Sequence, residues 1–135
     1  MVNLPKEVKD LLVPGAGAGI VKAIGTADSE GSPHTIITGS LMAIDDETLA
    51  FGVVAAKTTV NNLKTTNKAS IAIYKPPMTG YRIESTYNSF QDSGSLFDSF
   101  SEALKKRNLP CSGVILLKVD GVYALGSPEP GKKIA

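Results

Sequence analysis

Cysteine, histidine and tryptophan are nearly absent from this chain: one, one and none among 135 residues. A lone cysteine excludes an intrachain disulfide, and one cysteine with one histidine argues against a zinc site built from those ligands. A metal-free protein in a reducing, cytoplasmic setting is therefore expected. An excess of either charge is missing too. The 14 basic and 13 acidic side chains leave a net charge of +1, which argues against a polybasic nucleic-acid surface. No apolar run approaches the roughly 20 residues of a membrane span. The opening MVNLPKEVKDLL is an amphipathic start without the continuous apolar stretch of a signal peptide. Aromatic residues are scarce at 6%, yet hydrophobic content is 42%, enough to argue against disorder. The expectation is one domain over 1–135, long enough to bury a core without staples.

The richest stretch is FGVVAAKTTVNNL, residues 51–63. Phe51 to Val54 reads as a buried strand. Lys57 follows, and then a Thr-Thr pair opens a short polar helix. Thr58 or Thr59 suits the N-cap, because its hydroxyl accepts from an orphan backbone N–H. The first turn of a helix carries unpaired donors and a partial positive charge. A lysine, two hydroxyls and Asn61 or Asn62 beside that turn form a small phosphate trap. The spacing is not that of a Walker loop, which needs glycines before its lysine. An ordinary capped helix with a solvated lysine accounts for the same residues.

Strands account for most of the rest. Residues 4–12 suggest a short helix, with Asn3 as N-cap, Pro5 in the first turn and Leu4, Val8, Leu11 and Leu12 on one face. A glycine-bearing connector, 13–19, precedes a strand instead of following one, so it is not a dinucleotide fingerprint. Residues 19–28 and 33–44 form a hairpin about the turn DSEGS, and 48–54 make a third strand. The helix after Lys57 ends at Asn67, a suitable left-handed cap. Residues 68–75 alternate Ala69, Ile71 and Ile73 with more polar neighbours, and 80–90 form a further strand. A helix over 93–107 starts with Ser95 and Asp98 as a capping box. It shows a stripe of Leu96, Phe97, Phe100, Ala103 and Leu104, and ends in Lys105, Lys106 and Arg107, which suit a helix C-terminus. Residues 112–126 make the last strand. The expected class is mainly β with helices: six strands, mostly antiparallel, in a small closed or half-open barrel. Gly25, Gly39 and Gly52 fall inside strands, where glycine marks a bend or the close approach of a ligand.

The single residues with chemical potential have plainer readings. His34 follows Pro33 at a strand start, an edge position. Cys111 suits a small, partly buried hydrophobe. Arg82 fits either a ligand or a solvated face. The serines from 85 to 101 lack a partnering base, and capping and turn chemistry account for them. No side chain offers itself as a general acid or base, so no catalytic residue is assigned.

The order of elements, with EGSPHTIITGS (30–40), TLAFGVVAAKTTVNNL (48–63) and NKASIAIYK (67–75), resembles the FMN-binding split-barrel family. That family includes the pyridoxamine 5'-phosphate oxidase-like proteins and small bacterial FMN-binding proteins. The resemblance spans nearly the whole chain. It implies a six-stranded split β-barrel, a homodimer with FMN at the interface, and a redox role. It implies that Thr38, Gly39 and Ser40 lie beside the isoalloxazine and ribityl chain. It implies that Val53 and Val54 offer backbone groups to the ring, and that Lys57, Thr58 and Thr59 hold the phosphate with Asn61 or Asn62 nearby. The chain departs from the true oxidases at its C-terminus, GSPEPGKKIA, which has no tryptophan. Pyridoxamine phosphate is therefore not the expected substrate, and the electron donor and acceptor are left open. Two rivals keep the fold: a deazaflavin-binding reductase, and a non-enzymatic flavin store or sensor.

Overall fold

The computed structural model describes residues 2–14, 16, 19–126 and 129–135. The elements run α1 (Lys6–Lys9), β1 (Val21–Ala27), β2 (Pro33–Ile37), β3 (Met42–Ala43), β4 (Thr48–Val53), α2 (Lys57–Thr66), β5 (Lys68–Lys75), β6 (Thr79–Gln91), α3 (Ser95–Lys105) and β7 (Gly113–Ala124). The strands make one seven-stranded sheet in the order β2-β1-β5-β6-β7-β4-β3. Every pairing is antiparallel.

Among the described residues the strand count is seven where the sequence pattern suggests six. The expected strand over 33–44 is broken at Thr38–Leu41, which leaves β2 and the two-residue β3. Lys22 Nζ donates to the carbonyls of Gly39 and Leu41, at 3.3 and 3.0 Å. These bonds tie the break to the neighbouring strand β1. The break has a topological consequence. β2 and β3 are the two edges of the sheet, yet only four residues join them. A chain spans at most about 3.5 Å per residue. The sheet must therefore curl until its edges nearly meet, and the barrel stays split where Thr38–Leu41 bridges the gap.

One register row shows how the interior is built. Ile36, Ile24, Ile71, Ile83 and Val122 are directly opposed across β2, β1, β5, β6 and β7. Ile24, Ile71, Ile83 and Val122 have no solvent exposure. Alternation at period two sends the same face of every strand inward, and β-branched side chains suit that pleated surface. The N-terminal segment adds Leu4, Val8, Leu11 and Leu12, all buried in the same core. Their common burial agrees with the helical spacing, but α1 itself is one turn long. Pro5, not Asn3, is its N-cap, with no side-chain bond.

The caps differ elsewhere as well. Gly94 precedes α3 with no side-chain cap, so Ser95 is the first helical residue and does not close a box with Asp98. Asn67 is left-handed at φ 66°, and its N–H donates to the Leu63 carbonyl, as its residue type suggests. In the β1–β2 turn, Asp28 Oδ1 accepts from the N–H groups of Glu30 and Ser32. The two longer helices take opposite ends of the sheet. α2 packs on β1 and β2, and α3 packs on β4 and β7. Among the described residues, no helix is long and apolar enough to cross a membrane.

Candidate functional site

The break at Thr38–Leu41 is held from several sides. The Thr38 N–H donates to the Lys22 carbonyl at 2.9 Å. The Ser40 N–H reaches Thr38 Oγ1 at 3.3 Å, and the two hydroxyls are 3.2 Å apart. Ser40 Oγ accepts from the Gly52 N–H at 2.9 Å, which ties the break to β4. Thr38, Gly39 and Ser40 are thus fixed against the end of β4 although a dozen residues separate them in sequence.

A cavity of about 280 Å³ opens at this junction, with Thr38, Gly39, Ser40, Gly52 and Val54 on its walls and Arg107 closing one side. A second cavity of about 240 Å³ continues over Val53 and Val54 to Lys57, Asn61 and Lys64. The two share Val54, Ala55 and Ala56, so they form one groove from the split in the barrel to the start of α2. Its far end is cationic. Lys57 and Lys64 lie one above the other on α2, two turns apart at most. Lys64 Nζ sits 4.7 Å from the centre of the Phe90 ring.

The start of α2 differs from the threonine-capped expectation. Ala56 is the N-cap and makes no side-chain bond, and Lys57 is the first helical residue. Neither Thr58 nor Thr59 caps the helix. The N–H groups of the first turn therefore have no side-chain acceptor, and they remain available to an anion in the groove. Lys57, Thr58 and Asn61 are exposed. Thr59 is fully buried, and its hydroxyl has no hydrogen-bond partner. Asn62 is buried as well, and its Nδ2 donates to Thr26 Oγ1 at 3.1 Å. That bond fastens α2 to β1. Helical spacing explains the division: 59, 62 and 63 share the inward face, and 57, 58 and 61 the outward one.

Gly39 and Gly52 also part company. The atoms nearest a side-chain carbon on Gly39 would be those of the Arg107 guanidinium, with Nη1 at 3.2 Å. The same carbon on Gly52 would lie 2.6 Å from Leu104 Cδ1 and 3.4 Å from Phe100. Gly52 is small so that α3 can pack on β4, whereas Gly39 faces the groove. Gly25 is hemmed by the Ser70 carbonyl at 3.4 Å, a contact between strands.

Arg107 and Lys22 escape the sequence reading. Arg107 has the basic-trio signature of a helix end, and only the tertiary fold turns it back over Gly39. Lys22 carries no motif. Burial, and then the nearby Arg107 charge, hold its ammonium below the ordinary lysine value. Arg82 pairs with Glu84 at 2.9 Å and stacks on Tyr123, away from the groove. Cys111 Sγ donates to the Gly113 carbonyl at 3.2 Å, and His34 is half-buried on β2. Among the described residues, no cluster of three potential metal ligands exists.

The comparisons with solved structures agree on the architecture. The chain is similar to HupZ of Group A Streptococcus, with 22% identity over 98% of this chain and 99% of that one, at a TM-score of 0.81. It is similar to an FMN-binding protein of Syntrophomonas wolfei, with 19% identity over 80% and 78% of the two chains, at 0.73. It is also similar to an F420 reductase, with 14% identity over 88% and 98%, at 0.66. No protein-family model matches the sequence, and no curated protein does. The chain has the split-barrel fold of the pyridoxamine 5'-phosphate oxidase-like proteins.

Proposed function

We propose that this protein binds FMN in the groove between the split of the barrel and the start of α2, and that it serves a redox reaction as a homodimer. One observation carries the reading. Thr38–Ser40, Val53–Val54 and Lys57 are dispersed in sequence, yet they line a single continuous groove. Its shape and chemistry fit the group. The split end is walled by backbone and small side chains, which a flat ring can approach closely. The α2 end offers uncapped N–H groups and the Lys57 and Lys64 ammoniums, which suit a phosphate. Bound FMN would supply hydride or single-electron chemistry.

The roles of the individual residues follow. Gly39 and Ser40 border the ring, with Ser40 held in place by Gly52. Val53 and Val54 form the floor. Lys57, Thr58 and Asn61 hold the phosphate from the exposed face of α2. Thr59 and Asn62 support that helix from within. The fold of an F420 reductase favours a second reading, a deazaflavin in the same groove. The absorption spectrum of the purified protein, with a fluorescence titration by FMN, tests both. A bound flavin spectrum and saturable quenching support FMN. A deazaflavin spectrum favours the second reading, and no binding of either overturns both. Steady-state reduction by NADH or NADPH, with and without added acceptors, then separates an oxidoreductase from a flavin store.

A further inference from the structure

A cavity of about 550 Å³ adjoins the α2 groove at Gly39, Ser40, Leu104 and Arg107. Its lining includes the apolar side chains of Leu11, Ile20, Met42, Phe100 and Leu104, beside the hydroxyls of Ser40 and Ser99. Among the described residues, its charged lining side chains are two cations, Lys22 and Arg107. Neither belongs to any ion pair among the described residues. Lys22 spends two donors on the carbonyls of Gly39 and Leu41 and has a third to give. Arg107 makes no side-chain hydrogen bond in the described structure, although it presents five donors in a planar fork. Two cations line one cavity with no carboxylate among its described lining residues, and the Arg107 charge, after burial, disfavours that of Lys22, an arrangement that suits an anion.

We propose that this cavity binds a small carboxylate with an apolar or aromatic body, its carboxylate bridging Lys22 and Arg107 and its body against Phe100, Met42 and Leu104. A guanidinium matches a carboxylate edge to edge, and a partly desolvated ammonium adds a charge-assisted bond. The apolar walls distinguish this ligand from inorganic phosphate, which has nothing to bury there. Gly39, Ser40, Leu104 and Arg107 line both this cavity and the groove assigned to the flavin. As a binding site, the cavity stands on its own geometry. As the substrate subsite of a flavin protein, it rests on the proposed function.

The test uses the full chain as purified, with benzoate as the probe. Benzamide serves as its neutral isostere and inorganic phosphate as an anion without an apolar body. Calorimetry gives the affinities, and backbone amide NMR gives the location. Benzoate is expected to shift the amides of Gly39–Met42 and Phe100–Arg107. Benzamide and phosphate should each bind at least about tenfold more weakly, for want of the charge-assisted bonds and the apolar contact respectively. Arg107→Met should weaken benzoate by about tenfold or more, as loss of one charge-assisted contact requires. Lys22→Met should do the same. Because Lys22 also braces the break, Arg107→Met carries the test if that variant misfolds. Benzamide binding as tightly as benzoate, phosphate binding as tightly, or an Arg107→Met variant of parental affinity each overturns the proposal. So do amide shifts confined to Lys57–Asn61. Benzoate bound at the stated residues of a protein that takes up neither FMN nor deazaflavin supports the cavity and removes the flavin reading.

Discussion

Lys57 is the residue on which the phosphate reading turns, and the uncapped start of α2 raises what is asked of it. With no side chain capping the first turn, an anion there has the N–H groups and Lys57 to itself. Lys57→Ala should therefore weaken FMN by about ten- to hundredfold, or about 1.5–3 kcal/mol for one charge-assisted contact. Fluorescence titration measures it, with circular dichroism to verify the fold, and an unchanged dissociation constant removes Lys57 from the site. Gly39→Val makes a different prediction. The atoms nearest the added Cβ belong to the Arg107 guanidinium, the end of a flexible side chain that can give way, so stability should change by no more than about 0.5 kcal/mol. Flavin binding or its reduction should fail, because the ring loses its close approach. Stopped-flow reduction by dithionite, NADH and NADPH at parental rates would show the ring to lie elsewhere. Lys22 can be read by titration. Burial lowers its proton affinity, while hydrogen bonding to Asp10 raises that of Lys6. Side-chain NMR should find Lys22 losing its proton at lower pH than Lys6. The sign for folding follows: the unfolded chain binds the Lys22 proton more tightly. That residue's contribution to stability therefore rises with pH between its folded value and 10.5, the ordinary lysine value. These residues were unequally legible in the sequence. Lys57 sits in a local pattern of strand, lysine, threonines and helix, and such patterns are read along the chain. Arg107 and Lys22 act through partners far away in sequence, and nothing beside either one in the chain marks it.

At the scale of elements, the strands were legible and the joints were not. Ala69, Ile71 and Ile73 are buried at period two along β5, as their alternation requires. Leu96, Phe97, Phe100 and Leu104 give α3 an inward stripe, although Ala103 is exposed. The break between β2 and β3 is hidden in the sequence because apolar residues flank it on both sides, Ile36 and Ile37 before it and Leu41 and Met42 after. The Lys22 ammonium of the neighbouring strand holds the carbonyls of the break, a tertiary contact that no local pattern announces. The three helix starts went astray for a related reason. Ser, Thr and Asn were present near each start, but Pro5, Ala56 and Gly94 hold the cap positions. Gly52 is the element-scale counterpart of Gly39. It is buried beneath α3, and a valine there would press on Leu104, Phe100 and Cys111. Overpacking of this kind costs about 1–3 kcal/mol. Gly52→Val should lower the urea midpoint accordingly and loosen α3 in hydrogen exchange. A variant as stable as the parent would mean that α3 is not seated on β4 as described.

At the scale of the whole molecule, the outer face of the sheet raises the last question. The inner row of isoleucines has a counterpart on the other side. Ile37, Ala23 and Ala72 are directly opposed across β2, β1 and β5, and Val21 is opposed to Tyr74 on the same strands. Ile37 is 69% exposed, and Val21 and Tyr74 are 43% exposed. Small and apolar side chains side by side on the outward face of a sheet are uncommon unless something covers them. This face adjoins the split in the barrel, because β2 runs directly into Thr38 and Ile37 lines the groove. A second copy seated here would cover the patch and wall the groove from outside, which is why the flavin reading and the dimer belong together. An obligate interface of this type should bury more than about 2,000 Å² in total. Sedimentation equilibrium at micromolar concentration should then give twice the 14.1 kDa of the chain. Ala23→Glu puts a charge at the centre of the patch, where its partners across both neighbouring strands are apolar. A desolvated, unpaired carboxylate there costs several kcal/mol, about 3–5 by analogy with a broken buried pair, enough to dissociate such a dimer. The variant should sediment as the monomer and lose flavin affinity with it. A parental protein that sediments as a 14.1 kDa monomer removes the dimer outright. A variant that stays dimeric moves the interface to another face, and a monomeric variant with parental flavin affinity shows that one chain completes the groove alone.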